Sequence, residues 1–110
     1  MPDRVEIHIY RGRLPQAPFF KWLQAQKDRR TVAIIQARLN RLRLGNFGDS
    51  KSVGAGVEEL RIDYGPGYRV YFGRSGGKVI VLLCAGNKST QGKDIEKAQE
   101  FWRDYLNDED

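Results

Sequence analysis

The sequence contains one cysteine, one histidine and one methionine among its 110 residues. Because a disulfide needs two cysteines, Cys84 cannot form one within the chain, and a metal site built from several cysteines is excluded for the same reason. His8 stands alone, so the paired spacing of a zinc site is also absent. We therefore expect no metal and no cofactor, and we expect Cys84 to be a small buried residue in an apolar strand.

Long apolar runs are missing as well. No segment approaches the roughly 20 apolar residues that a membrane-spanning helix needs, and residues 1–13 lack the apolar core of a secretory signal peptide. Hydrophobic residues make up 40% of the chain and charged residues 30%, which at this length favours one soluble domain over residues 1–110. We expect that domain in the reducing cytoplasm, without a membrane partner.

Acidic residues are scarce in the first half of the chain. Residues 1–50 hold ten Lys and Arg against four Asp and Glu, whereas residues 51–110 hold nine against ten, and the formal net charge is +5. A basic body favours an anionic partner, of which nucleic acid is the commonest, although many small basic proteins bind nothing anionic.

Hydrophobic periodicity predicts an α+β domain in the order β-α-α-β-β-β-α, with a small, mainly antiparallel sheet of four strands packed against an N-terminal helical hairpin. The last helix is amphipathic. The segment Asn46–Gly56 is rich in Gly and Ser and is predicted to be a long loop, a type of segment that is often functional. The predicted strands cover residues 4–10, 57–64, 68–72 and 78–86, and the predicted helices cover residues 18–27, 31–44 and 94–106.

The stretch "GPGYRVYF", residues 65–72, raises the central question because an arginine interrupts apolar residues. A three-residue hairpin loop would pair Asp63 with Arg69 and Arg61 with Tyr71, all on the face opposite the core. One interpretation is a solvated face with an Asp63–Arg69 pair. The other is a phosphate site, since guanidinium groups bind phosphate bidentately and a nearby tyrosine can stack on a base or move a proton.

Further basic residues surround this hairpin in the sequence. The loop after the last strand carries Lys88, Gln91 and Lys93, and loops at strand ends commonly hold function. The second helix carries Arg38 and Arg41, which form either a solvated face or a contact to RNA phosphates.

The segments "GVEELRIDYGPGYRVYF" and "VLLCAGNKSTQGKDIEKAQEFWRDY" resemble the RelE/ParE superfamily of bacterial toxins, most closely the HigB-like branch described as addiction module killer proteins. The resemblance implies a RelE-like fold and the toxin of a type II toxin–antitoxin system. Its partner would be a small antitoxin, a DNA-binding protein encoded alongside. Many such toxins cut mRNA on the ribosome without a metal ion, whereas ParE-like members inhibit DNA gyrase and cut nothing.

The resemblance also implies roles for individual residues. Arg69 matches the arginine that contacts the scissile phosphate, Lys88 matches a basic residue after the last strand, and Arg61 matches a lysine on the preceding strand. The C-terminal tyrosine that serves as base in some relatives is absent, because Asp94 lies near its place, and Tyr71 is the substitute candidate. Glu59 stands where relatives have a second lysine.

The leading hypothesis is therefore a metal-independent, ribosome-dependent mRNA endoribonuclease that inhibits translation. Its predicted catalytic residues are Arg69, Lys88 and Tyr71. The predicted RNA-binding residues are Arg61, Lys51, Lys93, Gln91, Arg38 and Arg41. The alternatives are a non-cleaving ParE-like gyrase inhibitor, or an inactive toxin retained as the partner of its antitoxin.

Overall fold

The computed structural model describes residues 4–108 as five strands and three α-helices, with one 3-10 turn at Lys88–Thr90. The strands are β1 (Glu6–Ile9), β2 (Ser50–Gly54), β3 (Val57–Ile62), β4 (Tyr68–Ser75) and β5 (Val79–Asn87). The helices are α1 (Pro18–Gln24), α2 (Arg29–Arg43) and α3 (Gln91–Asp108). Within residues 4–108, no helix is both long and apolar enough to cross a membrane.

The five strands form one mixed sheet in the order β1-β5-β4-β3-β2. β1 runs parallel to β5, and the other three neighbouring pairs are antiparallel. The predicted α+β class and the mainly antiparallel sheet are confirmed. The predicted count of four strands is wrong because the segment Asn46–Gly56 is not one loop.

The additional strand is β2, which pairs with β3 through a two-residue turn at Ala55 and Gly56. Both turn residues have positive φ, 55° and 83°. Positive φ at both central residues matches the twist of a hairpin, and glycine adopts it more readily than alanine. The sequence of residues 50–54 does not predict a strand because Ser and Gly have little β-propensity and a bulge falls between Ser52 and Gly54.

Helices cover both faces of the sheet, which explains why β5 is buried along almost its whole length. On one face, α1 and α2 contribute Phe19, Ile35 and Leu42 to a core with the side chains of Leu60, Ile62, Val70, Phe72, Ile80 and Leu82. On the other face, α3 packs Ala98 and Trp102 against Val57, Tyr71, Val81, Leu83 and Cys84. Cys84 is buried as predicted.

Local signals account for where two of the helices begin. The side chain of Asp28 accepts a hydrogen bond from the backbone N–H of Arg30 at 2.9 Å, so α2 begins two residues before the predicted start at Thr31. Asn87 caps the 3-10 turn through the N–H of Ser89 at 2.9 Å, and α3 continues from that turn at Gln91. This capped junction fixes Lys88 and Gln91 at the end of β5.

Candidate functional site

The β3–β4 hairpin closes two residues earlier than the sequence predicts. Arg61 lies opposite Arg69 and Glu59 lies opposite Tyr71, so the predicted Asp63–Arg69 and Arg61–Tyr71 pairs are wrong. The reason is the turn. Tyr64 leaves the ladder, its N–H donating to Ile62 O at 2.9 Å while its carbonyl accepts from Gly67 N–H at 3.1 Å. A slip of two residues preserves which side chains share a face, so the polar set stays together.

Glu59 lies at the centre of that polar set, and its side chain is fully buried. Oε1 accepts hydrogen bonds from Arg61 Nε at 3.2 Å and from Arg69 Nη1 at 3.0 Å. Oε2 accepts from the Tyr71 hydroxyl at 3.1 Å and from Gln91 Nε2 at 2.8 Å. Each carboxylate oxygen thus accepts two hydrogen bonds, and the donors belong to β3, β4 and α3.

The electrostatics of this cluster explain why a carboxylate is buried there. Two guanidinium groups directly opposite each other on neighbouring strands repel, and a negative charge between them relieves the repulsion. Burial raises the pKa of Glu59, but the hydrogen bonds from Gln91, Arg61 and Tyr71 and the charge of Arg69 outweigh it and hold that pKa below its ordinary value. Two cations against one carboxylate leave the cluster positively charged.

Beside the cluster opens a small cavity of about 250 Å³, here called the basic pocket. Lys88 reaches it from the 3-10 turn, which is held to the hairpin loop by Lys88 N–H donating to Pro66 O at 3.4 Å. The side chain of Arg61 is 37% exposed and that of Arg69 is 12% exposed. The pocket is lined by Asp49, Arg61, Ile62, Asp63, Gly67, Tyr68, Arg69 and Lys88.

The structure brings together part of the predicted site. Arg61, Arg69 and Lys88 line one pocket, and Gln91 supports it through Glu59. The other predicted RNA-binding residues do not line it. Lys51 lies exposed on β2 opposite Glu59, Lys93 is exposed in the first turn of α3, and Arg38 and Arg41 belong to α2.

Tyr71 differs most from its predicted role because its side chain is completely buried beneath α3. Burial, followed by the charge and hydrogen bond of Glu59, raises the pKa of Tyr71 well above the ordinary value of a phenol. A side chain buried in this way is out of reach of a substrate. The geometry indicates a positioning residue that keeps the Glu59 carboxylate in place.

Arg38 is also part of the scaffold. Its Nη1 donates to the backbone carbonyl of Arg61 at 2.8 Å, which ties α2 to the strand that carries the site. Burial and the neighbouring charge of Arg41 lower the pKa of Arg38. Arg41, by contrast, is exposed.

Glu59 is the residue whose importance the sequence reasoning missed. A usable signal was present, since Glu59 precedes Arg61 by two residues and must share its face of β3. Glu59 and Asp63 are thus both acids on a face with two arginines, and an acid in that setting is a candidate counter-charge. Among residues 4–108, no group of three or more His, Cys, Asp and Glu side chains is placed to hold a metal ion.

Comparisons with known proteins relate this chain to one protein family and to a bacterial relative. The family described as "Phage derived protein Gp49-like (DUF891)" matches residues 21–103, a range that contains the whole basic pocket. A Haemophilus influenzae (strain Rd) protein with the description "Uncharacterized protein" is 54% identical over 81 residues, which cover 74% of this chain and 82% of the relative.

Proposed function

Because the chain belongs to the family of Gp49-like phage-derived proteins, which is associated with toxin–antitoxin modules, we propose that it is the toxin of a type II toxin–antitoxin system. We further propose that it is a member of the RelE/ParE superfamily that cleaves mRNA on the ribosome and thereby inhibits translation. The reaction would take place in the basic pocket.

The observation that supports the activity is the convergence of three cations on one pocket. Arg61, Arg69 and Lys88 come from β3, β4 and the 3-10 turn, which are separate in sequence and joined by the sheet. Charged donors fixed on strands cost little reorganisation when negative charge develops on a bound phosphate. A planar guanidinium also suits the geometry of phosphate oxygens.

Metal-independent cleavage of RNA proceeds by attack of the 2′-hydroxyl on the adjacent phosphorus and departure of the 5′-oxygen. The phosphoryl oxygens gain charge in the transition state, and Arg61 and Arg69 line the pocket where that charge would form. The Lys88 ammonium group can donate a proton to the leaving 5′-oxygen, and a proton must also leave the 2′-hydroxyl.

Proton removal is assigned to a pocket carboxylate rather than to Tyr71, which is buried. Asp49 and Asp63 both line the basic pocket and are exposed. A carboxylate within one water of the 2′-hydroxyl can act as the general base. Replacing each with asparagine separately identifies the base as the residue whose loss lowers the cleavage rate about 100-fold or more.

Glu59 completes the proposal as a positioning residue. Its Oε1 binds Arg61 through Nε and Arg69 through Nη1, so Glu59 holds both guanidinium groups in place beside the pocket that they line. Without this carboxylate, the two facing cations would separate, and the pocket would lose its geometry. Glu59 itself touches no substrate in this scheme.

The test is controlled expression in bacteria, followed by mapping of mRNA 5′ ends and a gyrase supercoiling assay with the purified protein. The wild-type chain is expected to arrest growth and to produce new 5′ ends within coding regions. Arg69→Ala is expected to abolish both effects. Arg103→Ala, which removes an exposed arginine on α3 away from the pocket, serves as the control. Arrest with intact transcripts and inhibited supercoiling would instead identify a ParE-like gyrase inhibitor.

A further inference from the structure

A second cavity lies on the opposite side of β5, where the sheet has an open edge. β1 pairs with β5 only from Val79 to Leu82, whereas β5 continues to Asn87. Beyond Ile9 the chain leaves the sheet and returns as α1, so within residues 4–108 the last part of β5 has no strand beside it on this side. A strand edge of this kind exposes backbone groups that can pair with another chain.

The alternation along β5 directs the backbone N–H and C=O of Ala85, a residue that is 7% exposed, toward that open edge. Tyr10 N–H donates to Leu82 O at 2.9 Å. In this part of β5, the backbone N–H and C=O groups of the even-numbered residues therefore point toward β1. A bulge opposite Tyr71 and Phe72 then shifts the alternation by one residue. The backbone of Asn87, two residues further on, is also directed away from β4. Its N–H accordingly donates to Thr90 Oγ1 at 3.2 Å.

Two helices wall this edge and form the α1–α3 groove, a cavity of about 790 Å³. Trp22 of α1 is held edge-on against Tyr68 with ring centroids 5.8 Å apart, and Phe101 of α3 stacks on Tyr10 at 5.0 Å. Each wall therefore carries an aromatic side chain, and the exposed side chain of Leu14 extends the lining. Such a groove suits an extended segment with apolar side chains.

The charged side chains that line the groove indicate which kind of partner segment it would bind. Lys21 of α1 and Lys97 of α3 both line it and are exposed, and among residues 4–108 neither forms an ion pair. The one carboxylate that lines the groove, that of Asp94, accepts a hydrogen bond from Thr90 Oγ1 at 2.5 Å. Two free ammonium groups on opposite walls favour carboxylates on the segment that lies between them.

We propose that the α1–α3 groove binds an extended segment of a partner protein, with apolar side chains between Trp22 and Phe101, carboxylates near Lys21 and Lys97, and backbone hydrogen bonds to Ala85. The identity of this partner rests on the proposed function. For a toxin of a type II toxin–antitoxin system, the partner is the neutralising antitoxin. The groove is separate from the basic pocket, since they share no lining residue. The segment would thus bind without entering the pocket.

The probe is the purified protein encoded beside the toxin gene, titrated against the full chain by calorimetry. The double variant Lys21→Glu/Lys97→Glu is expected to weaken binding about ten-fold or more, and Leu14→Asp is expected to weaken it as well. Matched controls carry the same changes at exposed positions outside the groove, namely Lys27→Glu/Lys78→Glu and Leu44→Asp. All of these side chains lie at the surface, so the variants should fold.

Hydrogen exchange gives a second readout on the same complex. The amide of Ala85 is expected to exchange about ten-fold or more slowly in the complex, whereas the amide of Ser52 on the outer edge of β2 should not change. Absence of binding, equal losses in the groove and control variants, or unchanged exchange at Ala85 would each overturn the inference. Cleavage assays report separately on the proposed function, because none of these variants lies in the basic pocket.

Discussion

Replacing Glu59 with glutamine tests the arrangement on which the site depends. Glutamine has almost the same shape, but it presents one amide nitrogen where the structure needs an acceptor, and it leaves the nearly buried Arg69 without a counter-charge. Removing one partner of a buried ion pair costs about 3–5 kcal/mol. At roughly 4 °C per kcal/mol for a domain of this size, Tm is expected to fall by about 12–20 °C.

The neighbouring residue provides a matched control. Glu58 points to the opposite face of β3 and pairs with Arg74, whose side chain is 42% exposed, at 2.5 and 2.9 Å. The same substitution at Glu58 is expected to cost less than about 1 kcal/mol, because exposed ion pairs contribute little. Thermal and urea unfolding of the two variants and the wild type give the comparison directly.

The pH dependence of this difference follows from the lowered pKa of Glu59. A carboxyl group whose pKa is lower in the folded state stabilises the fold above its unfolded pKa, and it loses that contribution as the pH falls through the folded pKa. The gap between wild type and Glu59→Gln should therefore be constant above about pH 5 and shrink below about pH 4. A Glu59→Gln protein as stable as Glu58→Gln at pH 7 would refute the reasoning.

Four other substitutions distinguish residues that support the fold from residues of the site. Tyr71→Phe is expected to lower stability by about 1–2 kcal/mol and to leave mRNA cleavage within a few-fold of wild type; a loss of 100-fold or more would restore Tyr71 as a proton carrier. Arg38→Ala should cost about 1–3 kcal/mol in urea unfolding, whereas Arg41→Ala should leave stability within about 0.5 kcal/mol and reduce ribosome affinity at low salt. Gly86→Ala should cost about 1–3 kcal/mol, because an added Cβ would meet the carboxylate of Asp94 at the start of α3; unchanged stability would contradict this packing.

The elements with strong hydrophobic periodicity could be predicted from the sequence. The α+β class, the three helices and the strands β3 to β5 agree with the alternation and with the helical apolar stripes. β2 could not be predicted because Ser and Gly make up three of its five residues, and its pairing depends on β3 and on a turn that places Ala55 at positive φ. The long-range order, with β1 parallel to β5, is likewise a property of the packed sheet.

The sequence was sufficient to predict which side chains of the site share one face of the sheet. It was not sufficient to predict which of them contact each other. Alternation correctly placed Arg61, Arg69 and Tyr71 on one side of the hairpin. Their pairing depends on where Tyr64 leaves the ladder, which is a matter of turn geometry and not of hydrophobic pattern. The burial of Tyr71 depends on α3 crossing that same face, and the role of Glu59 follows only once both of these are known.

Single-turnover cleavage of mRNA on programmed ribosomes tests the central claim most directly, because it isolates the chemical step at the basic pocket. The decisive variant is Lys88→Ala, since Lys88 is exposed and its loss should leave Tm unchanged. We predict that the wild type cleaves within the bound codon and that Lys88→Ala cleaves about 100-fold more slowly. A wild-type protein that leaves the mRNA intact, or a folded Lys88→Ala protein that cleaves at the wild-type rate, would contradict the account.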